Sequence, residues 1–415
     1  MTPNTFRLAA TDTPRAPRIG LARLTKMTFD GVDLTPLWNE LVLRVKQNPA
    51  DTTALMDLSV IAQLTGDPKM GASLQSNALV QEVVYRSPME KTPRLKVLAF
   101  AAPVDIGGNT PVEFLLEGSD VQLETLYIAH GLALPDPLPQ HDVAIVTIPD
   151  SIETRPMLAM IEAFAPRWPR PILNRPQRIK GLDRDELYKT LRDVRGVEIP
   201  VTGRVSREDF SDMALSDVIL RDVIADGAFP LIARPVGSHA GNGLEKIDAA
   251  AAIDAYLDTR PEDEFFVSRF VDYSGADGQF RKYRVVFVDG KPFACHMAVC
   301  NEWKVWYLNA DMAGNANKRA EEELFMAGFD DDFALWHGHA LKEIASRIGL
   351  EYFAIDCAQT KDGKLLVFEA DNASIVHNMD PADVFPYKGP QMRKVFDAFI
   401  AMLYKHARAA EARAA

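Results

Sequence analysis

The sequence predicts a mixed α/β protein with a helical N-terminal part, and three patterns carry that expectation. Apolar residues recur at helical spacing between Leu34 and Arg86. A nearly continuous apolar run at Leu95–Ala101 opens an alternation of strands and helices. Longer strands joined by Asp289-Gly290 and Asp362-Gly363 dominate the C-terminal part.

In the helical part, Leu37, Leu41 and Val45 share one face, as do Leu55, Leu58 and Ala62, and Asn48-Pro49 and Gly66-Asp67-Pro68 supply the breaks. Trp38, the Asn48-Pro49 turn and the Leu58–Gly66 helix end resemble a tetratricopeptide unit, although short helical hairpins of other ancestry share this pattern. Residues 1–30 carry scattered Pro and Arg without a period and are expected as an extension ahead of a helical module at 31–92.

Leu95–Ala101 is apolar throughout, as a parallel strand buried on both faces requires. Val121–Ile128, Val143–Ile148 and Pro171–Asn174 follow as strands, with a helix near Arg155–Phe164, so 93–175 reads as a small parallel α/β domain. The Gly107–Pro111 segment is a turn that can also bring backbone N–H groups to a ligand at a strand end. Residues 176–270 and 271–415 are expected as a smaller and a C-terminal lobe. In the latter, Val395, Phe399, Met402 and Leu403 form one apolar helix face for core packing.

Composition narrows the function. Among 415 residues, 46 basic against 58 acidic side chains leave a net charge of −12, which argues against non-specific nucleic-acid binding and a polybasic membrane surface. No stretch reaches the ~18 apolar residues of a membrane span. Three cysteines without a CxxC pair point to a reducing, cytoplasmic setting without a disulfide framework.

Two constellations carry chemistry. The Asp362-Gly363 turn brings Asp356 alongside Glu369, and Glu369 and Asp371 share one strand face because side chains alternate with period two. Converging carboxylates repel unless a cation sits among them, and hard oxygen ligands with room for phosphate suit Mg²⁺. The alternative is a solvated hairpin with incidental acids. The second constellation is Arg234 at a strand end, followed by Gly237, Ser238, His239, Gly241 and Gly243. Such a loop can fold its N–H groups over phosphate oxygens, and a plain hairpin has the same composition. It is neither GxxxxGK[ST] nor GxGxxG.

In order and spacing, the two constellations resemble ATP-grasp ligases, and the spacing of Asp356, Glu369 and Asp371 is similar to that of D-alanine–D-alanine ligases. The stretch from Ile172 through Asp183-Arg184 to Gly196–Thr202 is similar to the entrance of the ATP lobe in glutathione-synthetase-like and ribosomal-protein glutamate ligases. The resemblance runs from Ile172 to the end of the chain and implies an α+β ATP-grasp core. It implies that Asp356, Glu369 and Asp371 bind the metal, Mg²⁺ with Mn²⁺ as substitute. It places Arg184 and Arg234 where the family has phosphate-binding lysines, and the Arg-for-Lys change keeps the charge with a different reach. Phe266–Val271 resembles the strand that pairs with adenine, with Ser268, Arg269, Phe270 and Val271 offering mainly backbone groups and Asp272 reaching the ribose. Arg284 matches the arginine that meets the transferred phosphoryl group, with Arg234 assisting; Lys282 stands where the family often has an acid. Asp371 stands where the family has asparagine, with Asn372 beside it.

The resemblance implies a ligase that joins a small carboxylate or peptide to an amine through an acyl phosphate, releasing ADP and phosphate. A kinase and a non-catalytic nucleotide-binding scaffold are the alternatives. A polypeptide docking on the N-terminal helices and a homodimer are compatible with both. His377 and Asn378 are expected on the substrate side. His337-Gly338-His339 reads as a helix start rather than a metal pair, Trp303, Trp306 and Tyr307 as core, and Glu321-Glu322-Glu323 as a solvated helix face, with a lid role as its alternative.

Overall fold

The computed structural model describes residues 17–238 and 241–414; residues 1–16, 239–240 and 415 lie outside it. Four helices open the described chain: α1 (Leu21–Phe29), α2 (Thr35–Gln47), α3 (Thr52–Leu64) and α4 (Pro68–Leu79). Asp51 and Asp67 start α3 and α4 by accepting the N–H groups of Ala54 and Met70, both at 3.0 Å, which satisfies donors that a helix leaves free. Helix α1 lies within the stretch expected as an extension. Leu24 packs it against Leu58 and Ile61 of α3, and the buried Asp57 carboxylate accepts the N–H of Ile19 at 2.7 Å.

The first sheet holds β1 (Val84–Arg86), β2 (Leu95–Ala101), β3 (Val121–Tyr127), β4 (Val143–Val146) and β5 (Ile172–Leu173) in the order β1-β3-β2-β4-β5. Strands β2 to β5 are parallel, as their apolar runs predict. Strand β1 was expected inside the helical module; it adds antiparallel to the β3 edge instead. Strand β6 (Val197–Glu198) crosses to a later sheet.

The second sheet is antiparallel: β7 (Gly203–Ser206), β8 (Leu231–Pro235), β9 (Glu245–Ile247) and β10 (Glu264–Arg269), ordered β7-β10-β8-β9. It has its own core, built on Phe210, Leu231 and Phe265. The third sheet holds β11 (Phe280–Val288), β12 (Lys291–Cys300), β13 (Tyr352–Gln359) and β14 (Leu365–Asp371), ordered β12-β11-β13-β14-β6. Asp289 and Gly290 turn β11 into β12 with φ of 51° and 81°, the two left-handed residues that a type I′ hairpin needs.

The first and third sheets share one large core with the C-terminal helix Lys388–Ala414, in which Phe287 and Phe353 stack at 4.6 Å. Each fully buried phenylalanine contributes roughly 1.5–3 kcal/mol. Ile179, Leu182, Leu187 and Leu191 belong to this core too, so residues 176–198 pack with the larger body rather than with the second sheet. Among the described residues no helix is long and apolar enough to cross a membrane.

Candidate functional site

A cleft of about 1100 Å³ lies between the second and third sheets and runs on to the N-terminal helices. Arg184, Arg234, Gly241, Ser268, Arg269, Phe270, Val271, Arg284, Asp356, Glu369, Asp371 and His377 all line it. Gly237, Ser238, Asp272, Gly243 and Asn378 do not, and His239 lies outside the described residues.

Strand register sets the centre of the third-sheet wall. Arg284 on β11 stands opposite Asp356 on β13, and Asp356 stands opposite Glu369 on β14. The Arg284 guanidinium grips Asp356 with both arms, Nε to Oδ1 at 2.7 Å and Nη2 to Oδ2 at 3.0 Å. Lys282, two residues back on the same face of β11, adds Nζ to Oδ2 at 3.0 Å. Asp356 is only 3% exposed. Burial works against its ionisation, but Arg284 and Lys282 outweigh it and hold the carboxyl well below the usual range.

The other two acids are drawn elsewhere. Glu369 accepts a hydrogen bond from Arg184 at the start of the helix Arg184–Leu191. Asp371 turns back on the chain, taking the Ala373 N–H at 2.8 Å and the Ser374 hydroxyl at 3.3 Å. Burial raises the Asp371 carboxyl above its usual range; the Ala373 N–H opposes this and the Glu369 charge adds to it. Among the described residues, no three His, Cys, Asp or Glu side chains stand close enough to hold an ion as they are. The three acids expected as a metal-binding triad line one wall, and each is turned to its own protein partner. A cation fits the adjacent Glu369 and Asp371, whose mutual repulsion it would relieve. It fits Asp356 poorly, because that charge is already neutralised.

Across the cleft, Arg234 lies one residue before the end of β8 and pairs with Phe266 of β10. Its Nε donates to the Ser238 hydroxyl at 3.2 Å and its Nη2 to the Ser238 carbonyl, which folds the turn over the guanidinium. Among the described residues it has no carboxylate at ion-pair distance. Burial, and next the neighbouring Arg184 charge, push its pKa down to about 10. Gly243 serves packing: at φ 66°, a Cβ there would stand 2.6 Å from Pro235 Cδ.

On β10, the pairing with β7 ends at Val267, while that with β8 continues to Arg269. The Phe270 N–H is donated to the Pro230 carbonyl at 2.8 Å and is not free for a ligand. The Arg269 side chain is held by Glu198 and, at 2.7 Å, by Asp226. Asp272, expected at a ribose, instead sits at the surface, paired with Lys361 at 2.6 Å.

At the far end, His377 accepts the Met379 N–H at Nδ1 (3.1 Å), and its ring meets Phe29 of α1 at 5.1 Å and Phe114 at 6.5 Å. Leu21, Phe29 and Leu64 carry the helical unit into the lining, beside Gly107 and Gly108 of the loop after β2. Sequence reasoning left out Asp380 and Lys388, which line this end, and took Tyr307 for core. Lys388 bonds Asp380 at 2.8 Å and sits over the Tyr307 ring at 4.3 Å. Behind them, Glu322 accepts from Tyr387 at 2.6 Å, Tyr307 at 3.1 Å and the Met297 N–H at 3.1 Å. Glu322 is fully buried, which corrects its reading as part of a solvated face; the run of three acids hid the one that points inward. His337 and Gly338 do begin a helix, Gly338–Ile348.

No family model matches the chain, and no curated protein matches it. Among solved structures, the chain is similar to a RimK domain ATP-grasp protein from Sphaerobacter thermophilus, with 16% identity and a TM-score of 0.42 over 74% of this chain and 99% of that one. It is similar to the D-alanine–D-alanine ligase of Bacillus anthracis at 12% identity and a TM-score of 0.46, over 77% of this chain and 100% of that one. It is also similar to that of Coxiella burnetii at 11% and 0.47, over 77% and 97%.

Proposed function

We propose that the cleft binds ATP and that the protein is an ATP-dependent carboxylate–amine ligase of the ATP-grasp type. The observation that carries this reading is Arg234. It is a half-buried guanidinium beside Arg184, without a carboxylate partner among the described residues, under a glycine-bearing turn, and burial, with the Arg184 charge second, lowers its pKa. A phosphate supplies the anion that this position lacks.

In this reading an oxygen of the substrate carboxylate attacks the γ-phosphorus, the bond to the bridging oxygen breaks, and ADP leaves an acyl phosphate. The amine then attacks the acyl carbon, the carbon–oxygen bond to phosphate breaks, and the amine gives up a proton. Arg184, Arg234 and Arg284 neutralise charge spread over the phosphoryl oxygens. Glu369 and Asp371 would hold the divalent ion, Mg²⁺ or Mn²⁺, which when bound contributes further charge neutralisation at the phosphates. The turn pinned by Arg234 limits water access, which protects the acyl phosphate. Leu21, Phe29 and Leu64 give the N-terminal helices a direct part in this reading, as a wall of the substrate end.

The test is a screen of carboxylates and amines with Mg-ATP, scored for ADP and phosphate. Equal release of both with formation of an amide is the expected result. ADP without phosphate marks a kinase, and nucleotide binding without turnover marks a scaffold. Arg234→Met should weaken ATP binding about tenfold or more, in line with the loss of a charge-assisted hydrogen bond. Unchanged affinity would remove the main support for the reading.

A further inference from the structure

We propose that Lys282 is a resident cation of the cleft, which closes Asp356 to a divalent ion and leaves Glu369 and Asp371 as the sole ion-binding acids. The inference rests on the ATP reading above. The Asp356 carboxylate is buried, and its two oxygens already receive three N–H contacts from two cations, Arg284 and Lys282. The local charge is therefore net positive before any metal arrives. A divalent ion brought close to the Lys282 ammonium would meet like-charge repulsion that this partly buried setting screens only weakly.

The strand frame makes this arrangement hard to evade. Arg284 and Asp356 are register partners across β11 and β13, and Lys282 leans in from the same face of the same strand. Neither cation sits on a loop that could swing away. Glu369 and Asp371 differ in kind. Glu369 has one arginine, and Asp371 has, among the described residues, a backbone N–H and a hydroxyl. Beside them Asn372 lines the cleft, buried, with its Oδ1 unpartnered.

The experiment counts Mn²⁺ by electron paramagnetic resonance on the full chain saturated with the β,γ-imido analogue of ATP. One Mn²⁺ per bound nucleotide is expected for the wild type and for Lys282→Arg. Lys282→Met, which removes one of the two cations on Asp356 and leaves Arg284 alone on its oxygens, should bind a second ion and show the broadened signal of a coupled pair. Two ions in the wild type would overturn the proposal, and that count needs no variant to fold. One ion in a folded Lys282→Met would overturn it as well. Failure of the analogue to bind at all would instead strike the ATP reading, and this inference with it.

Discussion

The side-chain amide of Asn174 pairs with both backbone groups of Tyr352, donating to its carbonyl at 2.7 Å and accepting its N–H at 2.9 Å. Asn174 thereby extends the hydrogen-bonding edge of the first sheet to the first residue of β13, joining the two sheets that share the large core. It is fully buried and holds a left-handed φ of 52°, a conformation that asparagine tolerates better than most residues.

Asn174→Ala should therefore destabilise the protein by about 3 kcal/mol, because two buried backbone groups lose their partner. Urea unfolding of the two proteins measures it. Asn174→Asp, which keeps the acceptor and loses the donor, should fall between them.

Glu322 gathers Tyr307, Tyr387 and the Met297 N–H around one buried carboxylate, with Lys388 at 3.6 Å. Glu322→Ala leaves these buried donors without their acceptor, while Lys388 keeps Asp380 at 2.8 Å, at a cost of about 3 kcal/mol. Glu322→Gln preserves the shape and should lose less. Thermal unfolding of both variants separates the charge from the packing.

Stability should decline as pH falls below the ordinary histidine value. Burial lowers the pKa of His141, His296, His337 and His377 from 6.5. The folded state then binds fewer protons than the unfolded one, so this contribution is complete above 6.5 and is lost below it. At His141 the reason is visible: Nε2 accepts the Trp168 indole N–H at 2.9 Å, and protonation abolishes that acceptor. Urea midpoints between about pH 8 and pH 5 should fall with acidity. His141→Gln should flatten part of the slope.

Phe29→Ala removes the ring that reaches from α1 to His377. If the helical unit walls the substrate end, this change should raise KM for the carboxylate or amine substrate about tenfold, as expected for loss of a large apolar contact. The KM for ATP should stay within about twofold, since Phe29 stands at the opposite end from Arg234 in this reading. Steady-state kinetics on any substrate pair found by the turnover screen separates the two effects.

Much of the framework was readable from local pattern. The apolar run Leu95–Ala101 became a parallel central strand, and the Asp-Gly pairs became hairpin turns, because period and turn chemistry act over a few neighbouring residues. The period-two spacing also set Asp356, Glu369 and Asp371 on one wall of the cleft. The spacing did not determine what each acid would touch.

Those partners depend on distant chain. The Thr110 hydroxyl donates at 2.6 Å to the carbonyl of Asn372, 262 residues away, tying the glycine turn of the first sheet to the end of β14. Arg184 reaches Glu369 across a separation of 185 residues, and α1 brings Phe29 to His377. The sequence by itself determined the strands, the turns and the spacing of the acids, since these follow from neighbours along the chain. Tertiary structure alone decided that Lys282 and Arg284 both neutralise Asp356, that Glu322 lies buried and that the N-terminal helices wall the cleft. A charge takes the partner that sheet register and core packing bring within reach, and neither is written in any short stretch of residues.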